Sequence, residues 1–139
     1  MPANVSSVTI LDTSIFVDDL RTGIHEKRIE SLSTPVRTCS VVLAELWRGA
    51  TNASERKFLQ RLERQHPILT PTEKNWLESG RILASIRANK GYTREKLRDL
   101  HFDVLIALTA RSQGAKLVTS NRGDFELIKQ YRSFDLELW

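Results

Sequence analysis

Short β-branched runs alternating with stretches of helical spacing restrict this chain to a narrow set of folds. Val8-Thr9-Ile10-Leu11, Val36–Cys39, Pro67-Ile68-Leu69 and Leu117-Val118-Thr119 read as strands, with Phe134–Leu138 as a possible edge strand. Between them lie helical patterns over Ser14–Leu20, loosely Ile24–Leu32, Val41–Arg48, a stretch opened by Asn52-Ala53-Ser54-Glu55, one running to about Asn89, and Leu100–Arg111. Such alternation predicts βαβ units: a three-layer α/β/α sandwich with a central parallel sheet of four to five strands, as one domain over residues 1–139.

Local signals sharpen the boundaries. Ser40 is placed to cap the Val41–Arg48 helix, and Gly49 to end it. Thr70-Pro71-Thr72-Glu73 combines a capping box with a proline at the first helical position, and Trp76, Leu77, Leu83 and Ile86 form the apolar stripe that follows. Leu100–Arg111 is apolar nearly all round and is expected to be buried, with Ser112-Gln113-Gly114 closing it. Asn121–Lys129 reads as a loop and a short helix.

Bulk properties exclude some classes. With 40% hydrophobic and 27% charged residues, the chain has the balance of a folded domain, not of a disordered one. A net charge of +4 permits a polyanionic partner without requiring it. The single cysteine, Cys39, allows no intrachain disulfide, reads as packing, and suits a reducing cytoplasm. His25, His66 and His101 lack metal-ligand spacing. The N-terminus has no basic region leading into a long apolar core, so no signal peptide is expected. No apolar run reaches the ~20 residues that cross a bilayer, so no membrane association is expected either.

Most acids, among them Asp18, Asp19, Glu26, Glu55, Glu63, Glu95 and Asp99, sit in charged surroundings and read as solvated faces or caps. Three do not. Asp12 ends the first strand, Glu45 interrupts Val41-Val42-Leu43-Ala44 and Leu46-Trp47, and Asp103 interrupts Phe102 and Val104-Leu105-Ile106-Ala107-Leu108. A buried carboxylate is costly unless it is paired or binds a metal. One shared site explains three such anomalies; separate salt bridges to arginines such as Arg48 or Arg98 are the alternative. Beyond the fourth strand, Thr119-Ser120-Asn121-Arg122-Gly123-Asp124-Phe125 brings a fourth acid, Asp124, to the same sheet edge. Ser14, Thr119 and Asn121 are supporting hydrogen-bonding candidates there, although Asn121 and Asp124 would also suit a simple Asx turn.

An all-carboxylate cluster suits a hard cation, Mg²⁺ or Mn²⁺, and one or two such ions favour phosphodiester cleavage. No Ser–His–Asp arrangement for acyl transfer is evident. Ahead of the Asp103 helix, Arg87, Lys90, Arg94, Lys96 and Arg98 with Tyr92 form a candidate phosphate-tracking strip with a stacking ring, in which Arg94, Arg98 and Tyr92 are the main contacts; a solvated face is the equal alternative.

These residues resemble those of the PIN-domain ribonucleases, and within them the VapC-type toxins of toxin–antitoxin pairs. Leu11-Asp12-Thr13-Ser14, Glu45-Leu46-x-x-Gly49, Phe102-Asp103-x-Leu105-Ile106-Ala107 and Leu117-Val118-Thr119-x-Asn121-x-x-Asp124-Phe125 carry the likeness in order over essentially the whole chain. The resemblance implies an endoribonuclease dependent on Mg²⁺ or Mn²⁺, acting on tRNA or rRNA. It also implies a VapB-like antitoxin partner and a homodimer that joins the antitoxin in a higher heteromer. Separately, Trp47 and Trp139 read as exposed residues that would serve an interface. Asp12 and Asp103 would be the main metal ligands, Glu45 would position or deprotonate water, and Asp124 would hold a second metal directly or through water. Asn121 departs from the pattern, standing where many relatives carry an acid.

Two other readings compete. A phosphatase using Asp12 as nucleophile would want a second Asp where Ser14 stands, and a receiver domain would want a lysine at the other end of the strand from Lys116. A module that mainly binds an antitoxin and regulates an operator, with weak or no nuclease activity, is the alternative outside the enzymes.

Overall fold

The computed structural model describes residues 6–139; residues 1–5, the start of the segment on which the signal-peptide expectation rests, lie outside them. Five strands form one sheet: β1 (Val8–Leu11), β2 (Val36–Cys39), β3 (Ile68–Leu69), β4 (Ala115–Thr119) and β5 (Asp135–Leu138). Their order is β3-β2-β1-β4-β5, and every pairing is parallel. Thus both the parallel sheet and the fifth, edge strand expected from the sequence are present.

Among the described residues, seven helices connect the strands: α1 (Thr13–Thr22), α2 (Glu26–Glu30), α3 (Ser40–Gly49), α4 (Ala53–Gln65), α5 (Glu73–Lys90), α6 (Arg94–Ser112) and α7 (Arg122–Tyr131). The chain steps one way across the sheet from β1 to β3, then returns past β1 to β4 and β5. With right-handed crossovers, this reversal sends α1–α4 to one face and α5–α7 to the other. It also makes the gap between the carboxyl ends of β1 and β4 the topological switch point, where open α/β sheets bind ligands.

The core is built mainly from central strands and from α6. Ile10, Leu117 and Val118 are fully buried, and so are Val104, Leu105, Ile106 and Ala110. The expectation of a helix buried nearly all round holds for its second half. Its first turns, from Arg94, are polar and exposed, so the helix begins six residues earlier than the apolar pattern suggests.

Three local expectations are corrected. Ser40 and Thr70, both read as caps, instead hydrogen-bond to each other across 2.9 Å at the ends of β2 and β3. The capping box of α5 is Thr72 with Asn75, leaving Pro71 outside the helix. Trp76 and Leu77 are 51% and 58% exposed, because the buried stripe of α5 is Asn75, Ser79, Ile82 and Ile86. Polar residues disguised that stripe: Asn75 is consumed by the cap, while Ser79 Oγ donates to the Trp76 carbonyl and lies 3.0 Å from His101 Nε2. Gly91 ends α5 at φ 65°, a left-handed conformation in which a Cβ would be strained.

The tryptophans expected at an exposed interface are only half-exposed. Trp47 Nε1 donates to Glu63 Oε1 at 2.6 Å, and the Trp139 ring packs at a tilt against His25 with Arg28 over its ring. No helix among the described residues is long and apolar enough to cross a membrane.

Candidate active site

Asp12 follows β1 directly and is the N-cap of α1, where the helix dipole favours a negative charge. It is 3% exposed. All its side-chain hydrogen bonds fall on one oxygen: Oδ2 accepts from Ser14 Oγ at 2.8 Å, from Thr119 Oγ1 at 2.8 Å and from the Ser14 backbone N–H at 3.4 Å. The other oxygen, Oδ1, is buried and has no partner. Thr119 ends β4, so the hydroxyl that orients Asp12 comes across the switch point. The same hydroxyl accepts from the Asn121 N–H at 3.0 Å, and Ser14 Oγ accepts from the Ser120 N–H at 3.1 Å.

Asp103 reaches this edge because of simple lengths. From Asp103, α6 descends ~14 Å to its end, and β4 then climbs ~16 Å back to Thr119. Burial pushes the Asp103 carboxyl up from 3.8 to about 8, aided by the charges of Asp12, Glu45 and Asp124 and by the nearness of the Asp124 carboxyl, which favours the protonated form. The charges acting on Asp103 are those of Asp12, Glu45 and Asp124, so all four predicted acids lie in one neighbourhood.

Glu45 enters from α3, one turn past its start. Burial raises its carboxyl, the Asp12 charge adds to the rise, and a 2.8 Å hydrogen bond from Thr13 Oγ1 to Oε1 opposes it. Thr13 belongs to the first motif, but nothing in its local sequence shows that its hydroxyl meets a residue on another helix. Arg48, offered as a salt-bridge partner, lies instead 5.6 Å over the Phe102 ring and lowers Glu45 only weakly. Among the described residues, Asp12, Glu45 and Asp103 form no ion pair.

Asp124 sits in the first turn of α7. Its Oδ2 accepts from Asn121 Nδ2 at 3.2 Å, and Lys96 Nζ lies 3.9 Å from Oδ1. Asn121 caps α7 only by position, without a side-chain cap, so its amide serves Asp124 rather than an Asx turn. Asp18, read as solvated, is half-buried; it accepts from Ser120 Oγ at 3.0 Å and lies 3.4 Å from His25 Nε2.

The basic strip divides. Arg94 and Arg98 are exposed and lie about 180° and 140° around α6 from Asp103, whereas Lys96 is two turns before Asp103 on the same side. Tyr92 is half-buried beneath Lys96, whose Nζ is 5.6 Å from its ring centroid.

The donors fit a hard divalent cation: every candidate ligand is a carboxyl oxygen, and Asp12 Oδ1 is buried with no hydrogen-bond partner. As placed, no three His, Cys, Asp or Glu side chains among the described residues would enclose an ion by themselves. Mg²⁺ does not require that, since it commonly keeps several waters and takes one or two carboxylates.

The PIN-domain family model matches residues 9–130, and the chain belongs to the PIN-domain family. Among its neighbours in solved structures are VapBC complexes. VapBC2 from Rickettsia felis, bound to a DNA fragment from its promoter, matches with a TM-score of 0.71 at 25% identity, covering 95% of this chain and 98% of that one. DNA-bound VapBC from Salmonella typhimurium matches at 0.67 and 26% identity, covering 97% and 99%. VapBC-1 from nontypeable Haemophilus influenzae shares the fold at 0.69 and 23% identity, covering 95% and 98%. No curated protein matches the chain.

Proposed function

We propose that this protein is a divalent-metal-dependent endoribonuclease and the toxin of a toxin–antitoxin pair. PIN domains of the VapC kind are nucleases, and the VapBC neighbours support a VapB-like partner. The observation that carries the reading is that Asp12, Glu45, Asp103 and Asp124 come into one neighbourhood at the switch point, where burial first and the neighbouring charges second push the Asp103 carboxyl up to about 8. Asp12 and Asp103 would hold the metal, with Glu45 and Asp124 beside it.

A bound Mg²⁺ or Mn²⁺ would supply Lewis acidity toward the phosphate and make water more acidic. The chain's residues do the rest. Ser14 and Thr119 fix Asp12 through Oδ2 and leave Oδ1 without a partner from this chain. Thr13 fixes Glu45, whose raised carboxyl makes it a stronger base for drawing a proton from attacking water. Arg94, Arg98 and Tyr92 remain RNA contacts in this proposal, reached by RNA passing around α6.

Incubating the purified protein with tRNA and rRNA in Mg²⁺ or Mn²⁺, with an EDTA control, tests the reading. Cleavage that stops with EDTA and with Asp12→Asn supports it; cleavage that survives Asp12→Asn overturns it. A second reading draws on the DNA-bound neighbours: together with its antitoxin, the protein sits on promoter DNA. Gel-shift of promoter DNA by the co-expressed pair, and not by either protein alone, is the expected result.

A further inference from the structure

Asp124 differs from the other acids of the site. Asp12 keeps one carboxylate oxygen without a partner, but both oxygens of Asp124 face donors from this chain: the Asn121 amide at 3.2 Å and the Lys96 ammonium at 3.9 Å. Lys96 is steered there by two features. Helical geometry puts it on the Asp103 side of α6, and the Tyr92 ring lies 5.6 Å from its Nζ. With side chains 48% and 33% exposed, the Lys96–Asp124 pair adds little to stability, so its consequence lies in where the charge is placed.

Resting on the nuclease reading above, we infer that Lys96 supplies the second positive charge of the site. Asp12 and Asp103 hold one divalent ion with Glu45 beside it, and the Lys96 ammonium, in place of a second ion, meets the RNA phosphate on the Asp124 side. Charge balance favours this arrangement. Two dications ~4 Å apart repel strongly and need concentrated negative charge between them. Here Asn121 contributes none, and Lys96 cancels part of what Asp124 brings. An ammonium is also a compact point charge that binds phosphate well.

Mn²⁺ uptake, followed by loss of the free-ion EPR signal, tests this without turnover. The wild type is expected to take up one Mn²⁺ per chain, Asp12→Asn none, and the double variant Lys96→Met with Asn121→Asp two. Asp103→Asn replaces Asp12→Asn if the latter does not fold. In metal-free buffer, Lys96→Met should bind a labelled mixed-sequence RNA of about 20 nucleotides roughly three- to tenfold more weakly at low salt, with a salt slope smaller by ~0.7. Lys96→Arg should restore both. Two ions in the wild type, one in the double variant, or an unchanged slope in Lys96→Met overturns the inference. Uptake by Asp12→Asn equal to that of the wild type overturns the nuclease reading itself, whatever Lys96 does.

Discussion

Thr119 Oγ1 donates a 2.8 Å hydrogen bond to Asp12 Oδ2, tying the carboxyl ends of β4 and β1 together at the switch point of the sheet. Both residues are buried. The bond orients the carboxylate and leaves its other oxygen free, so the two residues act as one unit of the site.

Replacing Thr119 by Val keeps the shape and removes the donor. Stability should fall by ~1–2 kcal/mol, since a buried charged acceptor loses a partner. RNA cleavage should fall by about tenfold or more, because Asp12 is then held by Ser14 alone. Thr119→Ser should recover most of both. Thermal melts and initial rates on the same preparations separate the two effects.

Asp103 makes the metal-free protein sensitive to pH. Its folded carboxyl is raised from 3.8 to about 8, so the folded state holds a proton that the unfolded chain releases. The stability conferred by that proton is fully present below about pH 4 and is lost as pH rises through about 8. Urea unfolding of EDTA-treated protein should show falling stability across this window. Asp103→Asn should flatten the dependence and be the more stable protein at the alkaline end, although inactive.

Divalent metal should reverse that trend. Binding requires the deprotonated carboxylate, so Mg²⁺ or Mn²⁺ affinity should rise with pH through the same window. At a metal concentration about 100 times the dissociation constant, the folded state gains ~2.7 kcal/mol. Melting temperature measured against metal concentration should rise for the wild type and stay level for Asp12→Asn.

The capping box of α5 lies away from the acids and should affect folding alone. Thr72→Ala removes the hydroxyl that accepts from the Asn75 N–H and should cost ~1 kcal/mol. Cleavage rate at a temperature well below the melt should be unchanged. A loss of activity larger than the loss of folded protein would connect α5 to the site.

Order and type of the elements were legible because they are written in short-range patterns. β-branched runs, helical spacing and the apolar second half of α6 each depend on residues within a few positions of one another. Where polar residues entered a buried stripe, as Asn75 and Ser79 do, the pattern misled and put Trp76 and Leu77 inside. The starts of α5 and α6 were displaced for a related reason: caps and polar first turns carry weak periodic signals.

By itself the sequence determined that Asp12, Glu45 and Asp103 interrupt apolar runs, and an ionisable group in such a place needs a common solvent or ion. What it left open was decided in three dimensions. Which oxygen of Asp12 stays free depends on Thr119, 107 residues away. That Thr13 serves Glu45, and that Lys96 rather than Arg94 or Arg98 faces the acids, follows from how α1, α3, α6 and α7 are set around the sheet edge. Hydrogen bonds and charge contacts act over a few ångströms, and only the folded chain brings such distant positions within that range.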